Sequence, residues 1–440
     1  MGDIAHECCL GRLCDCGGSD GIMIQSGLTE AEVAKEPKSR SRDWVLLPAV
    51  SLLTICIMAV SAELLSRWFY PVTQVGFQNC FATNDPTGDG AVKPNSVCWE
   101  QTAESPLKAE YRFNSRGHRA DTELAPKQPG TYRIVLIGSS ITQGLFIPRE
   151  KTFAALLPDE LSMKTRRKVE VYNEATGGKF RGGPYPTQNS AQHFDQVLAA
   201  QPDLILWVIT PTDITNAESK ESADSPDRGG IQEAPQSATG SEVSRSFWNK
   251  IAASIANGTF GERLKSRWED TRTSIVLKHL LIASESQDEY IKSYLKNGDN
   301  ANFLKIKPDS TWQTQLQYFD TELEEIAGLS KNARVPLIAV FVPNRAQATM
   351  LSNGDWPAGY DPFKLEDEVR DSIVKNGGRF IDILGDYRRI PAPERDYFPL
   401  DGHPNSEGHA IISRFLAKEL TGGVVPELKA ATPPSIAMEP

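Results

Sequence analysis

The chain has little cysteine, and that little is unevenly placed. Of 440 residues seven are Cys, and none occurs after Cys98. A disulfide-dense secreted scaffold is therefore excluded. A basic excess is also missing: Lys and Arg number 47 against 57 Asp and Glu, for a formal net charge of -10. This argues against a nucleic-acid binder. There is no internal repeat and no collagen-like glycine or proline bias, with 33 Gly and 29 Pro and 40% hydrophobic residues. Long apolar runs are almost absent too.

The one exception is Trp44 to Ala62, WVLLPAVSLLTICIMAVSA, which carries no charge. At about 1.5 Å per residue it approaches the ~30 Å hydrocarbon core of a bilayer. We read residues 44–66 as a single transmembrane helix. Lys35, Lys38, Arg40 and Arg42 precede it, whereas Arg67 is the nearest cation after it. That bias predicts a single-pass protein of the cell membrane, its N-terminus cytoplasmic and the rest exported. The competing reading is a signal peptide cleaved after Val60-Ser61-Ala62, against which stands the long leader of residues 1–43.

The topology sorts the cysteines. Cys80 and Cys98 fall on the oxidising side and are expected to pair. Cys8, Cys9, Cys14 and Cys16, with His6 nearby, stay on the reducing side. Their spacing is no standard zinc pattern, so incidental thiols on a disordered tail (residues 1–43) are preferred to a metal site.

Residues 67–128 read as an irregular stalk or lead-in containing YRFNSRGHRADTEL. Beyond them short β-branched runs alternate with helical spacing. RIVLI (133–137), KVEVY (168–172), LILWVI (204–209), VPLIAVFV (335–342) and RFIDI (379–383) are predicted strands. Residues 153–163, 320–329 and 365–375 are predicted helices. The alternation implies an α/β fold with a mostly parallel sheet. Residues 216–310 form an insertion that opens as a polar loop and continues with helical patterns. It is either a cap over the active edge of the sheet or a decorative or oligomerising lobe. Residues 421–440 read as a flexible tail.

The first strand runs into Gly138-Ser139-Ser140-Ile141-Thr142-Gln143-Gly144. A small turn between strand and helix puts Ser140 at the carboxyl edge of the sheet, where ligands bind in open α/β folds. Ser140 is thus a candidate nucleophile; a Ser-rich anion-binding or helix-capping turn is the alternative. A serine nucleophile needs a base. Asp401-Gly402-His403-Pro404, just before an amphipathic helix, offers His403, with Asp401 to fix its tautomer. Asp396 is the fallback acid. His409 is expected to pack or cap.

GSSITQG near the front and DGHPNSEGH near the back together resemble the first and last sequence blocks of the SGNH (GDSL-type) serine hydrolases. The RFNSRGHR and TYRIVLIG segments are similar to the lead-in of many exported bacterial members. The resemblance covers about 115–215 and 335–420 and implies a three-layer α/β/α sandwich over residues 129–420, five parallel strands in the order 2-1-3-4-5, and a serine esterase needing no metal or organic cofactor. It implies an oxyanion site built from the N–H of Ser140, the N–H of Gly178 (with Gly177 as neighbour) and the side chain at position 212. The chain departs from the pattern at Ser139, where Asp is usual; at Thr212, where Asn is usual; and at Leu400, which takes the usual place of the acid. The substrate implied is an acyl ester, with O-acetyl groups of envelope polysaccharide the first expectation. A lipid-ester hydrolase, an O-acetyltransferase and a non-catalytic glycan-binding or assembly protein on a degenerate scaffold are the rivals.

Overall fold

The computed structural model describes residues 43–71, 80, 92–102, 104–105, 107–120, 123–175, 191, 193–215, 217, 268, 271–296 and 301–431. The chain divides into two units, 1–58 and 59–440. Everything from residue 80 onward belongs to the second.

Helix α1 (Asp43–Phe69) is, among the described residues, the one helix long and apolar enough to cross a membrane. Its Val45, Leu53, Ile57 and Trp68 side chains are exposed. Next come strands β1 (Val97–Glu100) and β2 (Ala109–Arg112), paired antiparallel with Cys98 opposite Tyr111. This hairpin lies in the stretch read from sequence as irregular. Its strands are four residues each, too short for alternation to stand out. Alternate residues nevertheless turn inward, so that Cys98, Ala109, Tyr111 and Phe113 form a separate buried cluster with Cys80. Cys80 and Cys98 are joined as a disulfide, Cα to Cα 6.0 Å.

The main sheet holds β3 (Tyr132–Gly138), β4 (Val169–Asn173), β5 (Leu204–Ile209), β6 (Leu337–Phe341) and β7 (Arg379–Ile381). Its order is β4-β3-β5-β6-β7, and every pair is parallel. Counted from β3 this is the expected 2-1-3-4-5 order. Every residue of β3, β5 and β6 is buried. Both faces of these central strands are covered, which is why they read as unbroken apolar runs rather than alternating ones.

The connecting helices are α2 (Ser140–Gln143), α3 (Phe153–Thr165), α4 (Phe194–Ala199), α5 (Pro211–Thr215), α6 (Arg272–Ser284), α7 (Gln287–Lys296), α8 (Ser310–Ala333), α9 (Arg345–Asn353), α10 (Lys364–Lys375), α11 (Leu384–Tyr387) and α12 (Ser406–Glu419). Side-chain caps start the long ones. Thr152 accepts from Ala155 N, Asp309 from Trp312 N and Asn405 from Gly408 N. Helices α3 and α12 pack together as one layer, while α8 packs with α4, α5 and α10 as the other. The three-layer sandwich closes on Trp207 and Phe319, whose ring centroids are 5.6 Å apart.

The chain end departs from expectation. Residues 421–428 are not loose, since Leu420–Val424 and Pro426–Leu428 form short helical turns. Val425 and Leu428 are buried in the main core, and Ala431 N donates to Lys164 O. Gly422, Gly423 and Pro426 give the segment a loop-like composition, but its apolar residues finish the cover over α3 and α12. Leu428→Ala should lower the unfolding free energy by about 2–5 kcal/mol, as removal of a fully buried leucine does elsewhere. Urea titration followed by tryptophan fluorescence measures it, and an unchanged midpoint would mean the segment is not part of the core.

Candidate active site

The site is assembled where β3 stops. Gly138 has φ +152, and a Cβ there would lie 2.4 Å from Thr142 Oγ1 and 2.7 Å from Val208 O. Only glycine allows the chain to turn this tightly against β5. Ser139 then caps α2 in an extended conformation, and Ser140 is the first helical residue. Its N–H is one of the first-turn donors that find no carbonyl within the helix.

Arg119, from the RFNSRGHR segment, holds the far end of that turn. Its guanidinium donates to the carbonyls of Gln143 (3.1 Å), Gly144 and Ile147 (2.8 Å), and to Glu110 O (2.8 Å) across the hairpin. It lies 4.1 Å over the Tyr111 ring. A buried cation at the carbonyl end of a helix is favourably placed. Two further residues of the segment reach the end of β4. Arg116 forks onto the buried Glu174 carboxylate (3.2 and 3.1 Å), and His118 Nε2 lies 2.6 Å from the same group.

From the other end of the chain, His403 arrives on the loop before α12. Its Nε2 is 2.7 Å from Ser140 Oγ, and its Nδ1 is 2.5 Å from Asp401 Oδ1. Asp401 Oδ1 also accepts the His403 backbone N–H at 3.1 Å, a turn made possible by Gly402 at φ +88. A proton on Nδ1, facing the carboxylate, leaves Nε2 to accept the Ser140 hydroxyl proton. Phe146 sets its ring edgewise to both His403 (5.6 Å) and Phe398 (6.2 Å). Asp396 sits elsewhere, with Glu407, Glu394 and Arg414 as its nearest charges, and burial pushes its pKa up to about 6. His409 packs within the core, stacked on Phe153 at 5.5 Å and accepting Phe153 N–H at 3.2 Å. Burial lowers its pKa to about 3, so the ring is neutral.

Thr212 and Asp213 follow β5. Thr212 is exposed on α5, and it lines the same cavity as Ser140 and His403, of about 470 Å3. Asp213 points inward and is buried. It accepts the N–H (2.7 Å) and hydroxyl (2.8 Å) of Thr210 and the hydroxyl of Ser139. Burial, partly offset by these bonds, raises its pKa to about 6. The Ser139 hydroxyl can donate to this carboxyl, which an ionised aspartate in its place could not do. Gly177 and Gly178 lie outside the described residues, as do His6, Cys8, Cys9, Cys14 and Cys16.

The described part of the insertion supplies one wall of the cavity. Ile282 of α6, Glu285, and Tyr290, Ser293 and Tyr294 of α7 face it. Tyr294 OH accepts from Asn344 Nδ2 at 3.2 Å, and Arg345 stacks 4.0 Å over Tyr290 while donating to Pro399 O at 2.9 Å. The insertion therefore caps the carboxyl edge of the sheet. Sequence reasoning missed Asp213, Glu174, Asn344 and Arg345. Asp213 stands directly after Thr212, and Arg116, His118 and Arg119 lie in a segment already singled out; Asn344 and Arg345 had no local signal. Among the described residues no group of His, Cys, Asp and Glu is arranged to hold a metal ion.

No protein-family model matches the chain, and no curated protein matches it. Solved structures do. A lipase/acylhydrolase from Enterococcus faecalis is similar at 14% identity and TM-score 0.31, covering 66% of this chain and 96% of that one. A two-domain esterase active on acetylated mannans is similar at 12% identity and TM-score 0.32, covering 66% of this chain and 49% of that one.

The Asp213 geometry predicts a pH dependence. A raised folded-state pKa means that the folded protein favours the protonated carboxyl. That contribution is intact below pH 3.8, fades as pH rises through about 6, and is absent above. The difference corresponds to about 3 kcal/mol. Asp213→Asn cannot titrate, so its stability relative to wild type should climb by that order between pH 4 and pH 7. Urea unfolding of both proteins at several pH values tests this, and parallel pH curves would refute it.

Proposed function

We propose that the chain is a membrane-anchored, exported serine esterase of the SGNH type. The observation that carries this reading is the unbroken hydrogen-bond chain Asp401–His403–Ser140 opening into a capped cavity. Ser140 Oγ attacks the ester carbonyl carbon as His403 Nε2 takes its proton. Asp401 holds the imidazolium that forms. The Ser140 N–H and the Thr212 hydroxyl stabilise the oxyanion, joined, by resemblance, by the N–H of Gly178. His403 then protonates the leaving alcohol, and the acyl group stays on Ser140. Water, deprotonated by His403, attacks the acyl carbon; the bond from that carbon to Ser140 Oγ breaks, His403 returns the proton to Oγ, and the carboxylic acid is released.

The finer reading is an ester-linked acetyl group on an envelope polysaccharide. The cavity wall mixes Tyr290 and Tyr294 with Glu285, Ser293 and Asn344. Such a wall suits sugar rings and hydroxyls better than a long acyl chain. The rival, a non-catalytic glycan-binding protein, is favoured by Thr212, whose hydroxyl is a less fixed donor than an amide. A fluorophosphonate probe on intact membranes decides between them.

Wild type should label, while Ser140→Ala and His403→Ala should not, because nucleophile and base act as a unit. Asp401→Asn should cut the labelling rate by orders of magnitude, and Asp396→Asn should leave it within a few-fold. The reverse pattern would move the acid to Asp396. With an acetyl ester, Thr212→Val should lower kcat about 10-fold or more with little change in KM, since the bond strengthens only as charge develops. Equal turnover would remove Thr212 from the oxyanion site.

The orientation is proposed from the cations before α1. A reporter fused after Gly144 should be active on the exported side. Activity confined to the cytoplasm would reverse the topology.

A further inference from the structure

Glu104 lies between β1 and β2, in the segment that the sequence presented as a stalk. Its side chain is only 6% exposed. A carboxylate so buried is costly unless its oxygens are well satisfied. Oε1 accepts the backbone N–H of Leu400 at 2.7 Å, and Oε2 accepts that of Asp401 at 3.0 Å. Oε1 is also 3.1 Å from Nδ1 of His279 on α6.

The two N–H groups belong to the residues that lead directly into Gly402 and His403. Gly402 at φ +88 makes this stretch conformationally permissive. The loop is pinned behind by Phe398 N to His403 O (2.8 Å) and Gly402 N to Phe398 O (2.9 Å). Those bonds fix the base of the turn; Glu104 fixes its tip. The backbone direction at Asp401 determines whether Oδ1 falls in line with His403 Nδ1. Charge-assisted bonds to an ionised acceptor are short and directional, which suits this task.

The third bond joins the cap to the same point. Helix α6 is held at its start by Glu63, which accepts from Arg272 N (3.1 Å) and Thr273 N (2.9 Å). Three turns on, the helix places Ile282 in the cavity wall. His279 thus links the cap to the carboxylate that holds the loop carrying Asp401 and His403.

We propose that Glu104 is a positioning residue for the Asp401–His403 pair, clasping the lead-in hairpin, the loop of the acid–base pair and the cap helix at one carboxylate. The proposal rests on the esterase reading for its kinetic consequence but not for its structural one, and the test separates the two.

The full chain in detergent is compared as wild type, Glu104→Ala, Glu104→Gln and His279→Ala. The first readout is amide hydrogen exchange in a peptide containing Leu400 and Asp401. The second is fluorophosphonate labelling, with kcat and KM on a short p-nitrophenyl ester. Glu104→Ala should speed exchange at those two amides at least 10-fold and lower kcat at least 10-fold, with KM within twofold. Glu104→Gln keeps the shape and one acceptor oxygen and should fall between, which also serves if the alanine variant does not fold. His279→Ala should raise KM severalfold with kcat within twofold, because it frees the cap and leaves both loop bonds in place. A folded Glu104 variant with unchanged exchange, or with unchanged kcat despite faster exchange, overturns the proposal. A His279→Ala protein identical to wild type overturns its cap arm. A wild type that never labels refutes the esterase reading, while exchange still decides whether Glu104 holds the loop.

Discussion

The 2.7 Å contact between Ser140 and His403 spans most of the folded sequence, and the architecture can be read as the means of fixing it. The serine is set by β3, a strand with sheet neighbours on both sides. The histidine is set by α12. What remains is the placement of α12 relative to the sheet, and α3, which packs beside α12 in the same layer and against β4, helps to set it. The first residue of α3, Phe153, gives its N–H to His409 of α12 and stacks on the same ring. This works only while the His409 ring is neutral, with Nδ1 free of a proton. Burial guarantees that, holding the group far below the range in which a solvent-exposed imidazole would charge. One histidine therefore serves the geometry of the other.

Charge is arranged around the pair with similar economy. Glu100 is buried in the hairpin and accepts Tyr111 OH, and its pKa is raised mainly by desolvation, with Asp401 adding to the effect and His403 opposing it. Asp401, on Nδ1, is the acid on the side of the His403 ring away from Ser140, whose contact is at Nε2. In the proposed chemistry an imidazolium forms there, and it would be stabilised from behind while the oxyanion develops in front. On the serine side, Asp213 accepts from Ser139 and Thr210. The hydroxyl of Ser139, next to Ser140 in the chain, thus serves the buried Asp213 carboxyl.

Much of this could be read from residues alone, and the reasons differ from part to part. The five strands of the sheet were legible because the central ones are buried on both faces, so hydrophobicity alone marked them. Ser140, Asp401 and His403 were legible because turns need glycine at fixed places, and Gly138, Gly144 and Gly402 bracket them. The hairpin was not, since four-residue strands that show one face to solvent leave no pattern to see. The packed segment 421–428 was hidden by its glycines and proline, although its two valines and a leucine carry the burial. The cap was legible as helix but ambiguous in place, because nothing in α6 or α7 names the surface it covers. Glu104 had no sequence signal at all: its importance comes from which N–H groups meet it after folding.

These failures of reading share a cause. The sheet and its layers follow from local pattern, whereas the carboxyl edge is finished by groups from the lead-in that act at long range. Arg119 closes the turn after Ser140, Arg116 and His118 fasten the end of β4, and Glu104 fastens the loop before α12. Each supplies donors or acceptors that the parallel sheet cannot provide for its own loops, since strand ladders end where the loops begin. A sandwich alone would leave two of these loops with unsatisfied backbone groups, and the buried Glu174 carboxylate without its partners, at the place where geometry matters most. The lead-in removes that deficit, and the disulfide between Cys80 and Cys98 ties the hairpin that carries Glu104. The described part of the segment between α1 and β3 is thus a structural part of the site, and the unit that builds the site starts well before residue 129.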